Sequence, residues 1–220
     1  MSIITQYMTS HGVSEEAVIL LLMLPIVATI IAFARQVIGI KGFGIYTPLI
    51  ISFAFLATGL KYGLAFFIII ILVGTLTRLA VKRFRLLYLP RMAIVIIAVA
   101  VSILLVFLEG AYSERNGLTA ASIFAVIIMI TLVEKFIASQ IERGRKEAIT
   151  LTIETLLLSI ICYWIAIWPW LRETVLAYPF LIIIGTIIIN ILLGKWTGLR
   201  ISEYARFRKI IKSIEPSGKK

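Results

Sequence analysis

Long apolar runs alternate with short polar connections along most of the chain. Charges, glycines and prolines divide them into seven segments of 16 to 21 residues. A helix needs about 20 mostly apolar residues to cross roughly 30 Å of hydrocarbon. We therefore predict an all-α polytopic membrane protein whose seven transmembrane helices cover Ala17–Ala34, Ile45–Leu60, Tyr62–Val81, Met92–Leu108, Leu118–Val133, Ala148–Trp168 and Thr174–Gly194. This divides the chain into an N-terminal tail (1–16), a helical domain (17–194) and a C-terminal tail (195–220).

The basic residues fall almost entirely on one side of this arrangement. Alternate connections and the C-terminal tail contain 19 of the 22 Lys and Arg residues, and the opposite side contains only Lys61, Arg115 and Arg172. Cytoplasmic loops retain positive charge during insertion. The pattern therefore predicts an extracytoplasmic N-terminus and a cytoplasmic C-terminus, as in a multi-pass protein of a bacterial inner membrane.

Composition excludes several classes of protein. The chain is 61% hydrophobic and 15% charged, with a mean hydropathy of +1.06, which excludes a soluble globule. It has one Cys, one His and no Asp, so a disulfide framework, a Cys/His zinc site and a Ser/His/Asp triad have no residues to build on. We expect no cofactor, and an intramembrane enzyme is the least favoured interpretation. The net charge of +11 indicates attraction to the anionic inner leaflet rather than to nucleic acid.

The first cytoplasmic connection, residues 34–48, has the strongest local pattern. Its glycines permit positive φ, and a Thr-Pro pair is typical of an N-cap and first turn. Free amides, a helix N-terminus and two cations suit a carboxylate or phosphate. The alternative is a tight, positively charged turn. The candidate residues are Arg35, Gly39, Lys41, Gly42, Gly44, Thr47 and Pro48.

Glu154 is the only acidic residue well inside an apolar segment. An intramembrane carboxylate is costly, so it has either a structural partner or a role in a proton or substrate pathway. Arg78 and Lys135, at the cytoplasmic ends of the third and fifth segments, are candidate partners. Asn190, in the seventh segment, is expected to form an interhelical hydrogen bond.

The C-terminal tail predicts a basic amphipathic helix. Apolar residues recur at helical spacing from Ile201 to Ile214, with basic residues between them. Such a helix lies on the inner leaflet, docks a soluble acidic partner, or does both. The candidate contact residues are Arg200, Glu203, Arg206 and Arg208, together with Arg91 in an earlier cytoplasmic connection. The mixed-charge loop over 133–148 favours an extension of the fifth helix beyond the bilayer.

Several segments together resemble one family, the bacterial seven-transmembrane domain usually fused behind an inactive transglutaminase-like domain. The resembling segments are RQVIGIKGFGIYTPLIISFAF (35–55), LPRMAIVI (89–96), ITLVEKF with IERGRKEA (130–148) and GKWTGLRISEYARFR (194–208). Only about sixteen residues precede the first segment here, so a separate extracytoplasmic transglutaminase-like protein is an expected partner. A more distant likeness is to the membrane subunit of capsular poly-gamma-glutamate synthesis.

The resemblance implies a protein partner for this chain rather than a reaction that the chain catalyses. Members of the family are associated with ATP-grasp ligases that resemble those adding glutamate to peptides. It therefore implies a non-catalytic scaffold or export subunit of a system that makes or exports an amide-linked, acidic peptide. The alternative is an autonomous transporter or channel that uses Glu154.

Overall fold

The computed structural model describes residues 3–84, 86–112 and 123–196. These residues form helices joined by short turns and include no strand. The helices are α1 (Ile3–Ser10), α2 (Glu15–Phe33), α3 (Tyr46–Thr58), α4 (Leu60–Val81), α5 (Tyr88–Tyr112), α6 (Ile123–Glu142), α7 (Arg145–Ile167), α8 (Pro169–Ala177) and α9 (Pro179–Gly194). A π-helical turn (Ala34–Ile38) follows α2, and a 3₁₀ turn (Lys82–Phe84) follows α4.

Local chemistry explains where several helices begin and end. The Ser14 side chain accepts a hydrogen bond from the Ala17 amide at 3.3 Å, which caps the N-terminus of α2. Gly59 has φ +78° between α3 and α4, a conformation that favours glycine and separates the two helices. Pro169 and Pro179 occupy first-turn positions, where a missing amide donor costs nothing.

The chain divides into two compact units. The central unit covers Gly42–Tyr163, and the terminal unit combines Met1–Lys41 with Trp164–Lys220. Within the central unit, side chains of α3, α4, α5 and α6 share one apolar core that includes Phe55, Phe66, Ile70, Val95 and Ile137. Within the terminal unit, α2 packs against α8 through Val18, Ile19, Met23, Val175 and Leu176.

The chain is a multi-pass membrane protein by the length and apolarity of its helices. Over the part of the chain that the structure describes, four continuous helical stretches qualify as spans: Glu15–Ile38, Leu60–Phe84, Tyr88–Glu109 and Arg145–Ile167. The α8–α9 pair makes up to five, with a bend of 105°. Large apolar side chains are exposed along these helices, as expected of a lipid-facing surface.

The helices agree with most of the predicted segments and differ at two. The second segment forms a helix of only 13 residues, about 20 Å long and shorter than the hydrocarbon layer. The seventh, Thr174–Gly194, is not one helix, because Tyr178 and Pro179 break it between α8 and α9. As the loop pattern predicts, α6 continues to Glu142. The tail over 1–16 contains α1, which the apolar pattern does not predict.

Candidate functional site

The glycines of the connection over residues 34–48 adopt the backbone conformation that the sequence predicts. Gly39 (φ +90°) ends the π-helical turn, and its amide donates to the Ala34 carbonyl at 3.0 Å. Gly42 (φ +43°) and Gly44 (φ +81°) bring the chain into α3 in the central unit. Side chains are disfavoured at these angles, so the glycines are needed for the path of the backbone.

The amides of this turn bind acceptors on α7. The Gly42 amide donates to the Glu154 carboxylate oxygen Oε2 at 3.0 Å, and the Phe43 amide donates to the Thr155 hydroxyl at 2.9 Å. A Cβ on Gly42 would lie 3.2 Å from that hydroxyl oxygen, so close approach as well as φ favours glycine. We call residues 39–44 the glycine turn. The carboxylate that this turn binds in the structure is therefore the chain's own Glu154 side chain.

The start of α3 differs from the prediction. The N-cap is Ile45, which has no capping side chain, so the prediction of Thr47 as N-cap is wrong. Thr47 lies within the first turn of α3, 2% exposed, where its hydroxyl accepts a hydrogen bond from Lys135 Nζ at 3.3 Å. The next residue, Pro48, uses its carbonyl to accept from Ser159 of α7 at 3.1 Å. Tertiary partners, rather than the helix terminus, thus hold both residues.

The two cations that were candidate partners for Glu154 have hydrogen bonds elsewhere. Lys135 donates to Thr47, and Arg78 donates through Nη1 to the side-chain carbonyl of Gln140 on α6. Gln140 in turn donates to the Thr75 hydroxyl at 3.4 Å. This cross-link between α4 and α6 satisfies a buried amide, since Gln140 is 4% exposed.

Sequence analysis missed Gln140 and Thr155. Both are polar residues within apolar helices, and this feature of the sequence could have identified them as contact residues. In a membrane-spanning helix such a side chain commonly bonds across to a neighbouring helix or turn. The pattern does not identify the partner, which lies 62 residues away for Gln140 and 112 residues away for Thr155.

Asn190 lies in the terminal unit. Its side-chain amide donates to the Thr29 hydroxyl of α2 at 2.7 Å and to the Thr186 carbonyl at 2.8 Å, which is the interhelical bond that the sequence predicts. Thr29 itself donates to the Pro25 carbonyl at 2.7 Å. That bond keeps the Thr29 hydroxyl paired within its own helix.

Potential catalytic and metal-binding side chains are dispersed over the described residues. No group of three or more His, Cys, Asp or Glu side chains in this part of the chain is placed to hold a metal ion. Cys162 is a free, fully buried thiol in α7. His11 lies next to Tyr7, with ring centroids 4.1 Å apart and Nδ1 2.9 Å from the Tyr7 carbonyl oxygen.

Comparison with known families identifies the type of domain. A family model described as seven transmembrane helices usually fused to an inactive transglutaminase matches residues 3–211. The chain belongs to this family. No curated protein and no solved structure matches the chain at a significant level. Membership in the transglutaminase-associated seven-transmembrane family accords with the multi-pass helical fold and with a non-catalytic membrane component.

Membership also accounts for helices that length alone does not identify as spans. The family description specifies seven transmembrane helices, whereas four to five spans are recognised over 3–84, 86–112 and 123–196. Helices α3 and α6 are not among the recognised spans, and the α8–α9 pair is bent. The tail residues Arg200, Glu203, Arg206 and Arg208 lie within the matched range but outside the described residues.

Proposed function

We propose that this seven-transmembrane domain is a non-catalytic inner-membrane component that recruits a cytosolic ATP-grasp-type peptide ligase. The system would make or export an amide-linked, acidic peptide. The N-terminus would be extracytoplasmic and the C-terminus cytoplasmic. A separate transglutaminase-like protein would act on the extracytoplasmic side. The family description supports a non-catalytic membrane component, and the ligase partner and the acidic peptide come from the resemblance of the sequence alone.

The observation that carries the proposal is the charge at one end of the central unit. The end of α4, the start of α5, the end of α6 and the start of α7 meet at this end through short connections. The described cations near it are Arg78, Lys82, Arg83, Arg91, Lys135, Arg143, Arg145 and Lys146. At the opposite end, the first turn of α4 contains Lys61. A positive face of this kind attracts and orients acidic partners.

The charge pattern of the sequence also predicts Arg35, Lys41 and the basic C-terminal tail on the cytoplasmic side of the membrane. Arg35 lies in the π-helical turn after α2, and Lys41 precedes Gly42. Electrostatic docking of this kind depends on exposed charges, which salt screens within about 10 Å at 0.1 M and about 3 Å at 1 M.

The test is co-purification of the tagged chain from its native membrane in mild detergent, at low and high salt. Lys82→Glu with Arg83→Glu reverses two exposed charges in the 3₁₀ turn, and Lys61→Glu reverses one exposed charge at the other end of α4. We expect wild type and Lys61→Glu to retain a peptide ligase at low salt. The double variant and high salt should release it.

Two outcomes would contradict the proposal. Either no peptide ligase accompanies the wild-type chain at low salt, or the ligase remains bound to the double variant as firmly as to wild type. Circular dichroism of each purified variant controls for loss of helical structure.

The second candidate function is an autonomous transporter or channel. The observation in its favour is that the Glu154 carboxylate contacts the glycine turn, so a change of its charge would act directly on that turn. The cavity beside the turn weighs against a pathway there. It is lined mainly by apolar side chains, and its volume of about 10 Å³ is close to the minimum for one water molecule.

A further inference from the structure

Three arginines from three different helices lie at the basic end of the central unit, and the hydrogen bond from Arg78 to Gln140 places Arg78 beside the end of α6, from which the chain leads to Arg145. Arg78 comes from α4, Arg91 from α5 and Arg145 from the first residue of α7, and the charges of Arg91 and Arg145 act on Arg78. Among the described residues, no carboxylate forms an ion pair with any of the three. Neighbouring like charges repel, so a bound anion would stabilise this group of arginines, named here the arginine cluster.

Hydrogen bonds within the protein position two of the three guanidinium groups. Arg78 donates to the buried Gln140 side chain, and Arg91 donates through Nη2 to the Leu86 carbonyl at 2.7 Å. A guanidinium has five donors, so each group keeps donors for a further acceptor. Among the described residues, the buried Nε of Arg91 has no hydrogen-bond partner, and neither does the buried hydroxyl of Ser139, next to Gln140.

Exposed apolar side chains lie at the start of α5, close in sequence to Arg91. Leu87 and Leu89 flank the start of α5 with 81% and 77% of their surfaces exposed, and Phe84 precedes them at 73%. Helix α4 has 22 residues, about 33 Å, so Arg78 near its end lies close to the boundary between hydrocarbon and headgroups. A phosphate bound there would have acyl chains beside exposed leucines.

We propose that Arg78, Arg91 and Arg145 form a binding site for the phosphate of an anionic phospholipid headgroup in the inner leaflet. Guanidinium groups bind phosphate oxygens through paired charge-assisted hydrogen bonds, and basic pockets between transmembrane helices bind such headgroups. A phosphate at this position also meets the N-terminus of α7, where the helix dipole favours negative charge. This site goes beyond the docking surface proposed above.

The experiment measures binding of phosphatidylglycerol to the purified chain in detergent by native mass spectrometry. Phosphatidylcholine supplies the same phosphodiester without net charge, and inorganic phosphate supplies a soluble anion. We expect phosphatidylglycerol to bind at least about ten-fold more tightly than phosphatidylcholine, and equimolar inorganic phosphate not to displace it.

Two single substitutions locate the site. Arg145→Gln removes an exposed arginine that forms no side-chain hydrogen bond within the part of the chain that the structure describes, and we expect phosphatidylglycerol affinity to fall about ten-fold. Lys146→Gln removes the same charge one residue later, and we expect affinity to stay within about two-fold. Arg78→Gln should also weaken binding, but it removes the contact with Gln140 and so affects the fold as well. Arg145→Gln is therefore the decisive variant.

Three results would overturn the proposal. Equal loss in Arg145→Gln and Lys146→Gln would mean that general charge attracts the lipid. Equal binding of the two lipids would mean that the cluster does not recognise an anionic headgroup. Displacement by inorganic phosphate would mean that the cluster binds soluble anions.

Discussion

The contact between Glu154 and the Gly42 amide should contribute measurably to the stability of the central unit. A hydrogen bond to a charged group contributes about 1.5–3 kcal/mol, and the 3.0 Å distance is that of a normal bond. Glu154→Ala removes the acceptor and should lower the free energy of unfolding by about 2–3 kcal/mol. Glu154→Gln keeps an amide oxygen as acceptor, so its loss should be about 1 kcal/mol.

The chain supplies its own probe for this experiment. Cys162 is the only cysteine, and it is fully buried in the central unit, so a thiol-reactive dye reports when that unit unfolds. For a protein of this size, each kcal/mol lowers the unfolding temperature by about 2–4 °C. The matched control is Glu147→Gln on the same helix, whose exposed ion pair with Arg143 should contribute about 0.5 kcal/mol or less.

The order of the three variants is the decisive result. We expect Glu154→Ala to be less stable than Glu154→Gln, and Glu154→Gln to be less stable than Glu147→Gln. If both Glu154 variants unfold at the temperature of the control, the carboxylate does not hold the glycine turn and the reasoning fails.

Further predictions concern packing, the second interhelical bond and transport. Gly74→Ala places a Cβ 2.8 Å from a Val133 methyl and should cost about 1–3 kcal/mol in the melt followed by the dye. Gly185→Ala, with open space around its Cβ among the described residues, should be neutral or stabilising in a melt followed by circular dichroism, which also reports on the terminal unit. Asn190→Leu should cost about 0.6–1.7 kcal/mol through its lost bond to α2, and an unchanged melt would contradict this. Vesicles containing only this chain should show no ion or peptide flux; a flux that Glu154→Gln abolishes would favour the transporter.

The sequence predicts the helical architecture because the bilayer imposes simple rules. A spanning segment must satisfy its backbone hydrogen bonds internally and must be apolar over a fixed length, so runs such as Tyr62–Val81 predict helices directly. The break at Pro179 also has a local signal, since proline favours the start of a new helix over the interior of an old one. The prediction of one helix over Thr174–Gly194 followed the length of the apolar run and did not use the proline.

The candidate site is less accessible to sequence analysis because its contacts are long-range. Local backbone rules predict positive φ at Gly42 and Gly44, and the structure has it. The Thr-Pro pattern predicts a cap at Thr47, but a tertiary contact with Lys135 uses that hydroxyl. The bond between Gly42 and Glu154 joins residues 112 positions apart, and neither residue alone indicates the other.

The proposed docking surface requires its basic end to face the cytoplasm, and cysteine labelling at the two ends of α4 tests this most directly. Lys61 and Lys82 are both exposed, and replacing each by Cys in a Cys162→Ala background gives one thiol per chain. In spheroplasts, a membrane-impermeant maleimide should label Lys61→Cys at once and Lys82→Cys only after lysis. Labelling of Lys82→Cys before lysis, with Lys61→Cys protected, would contradict the orientation and the cytosolic partner together.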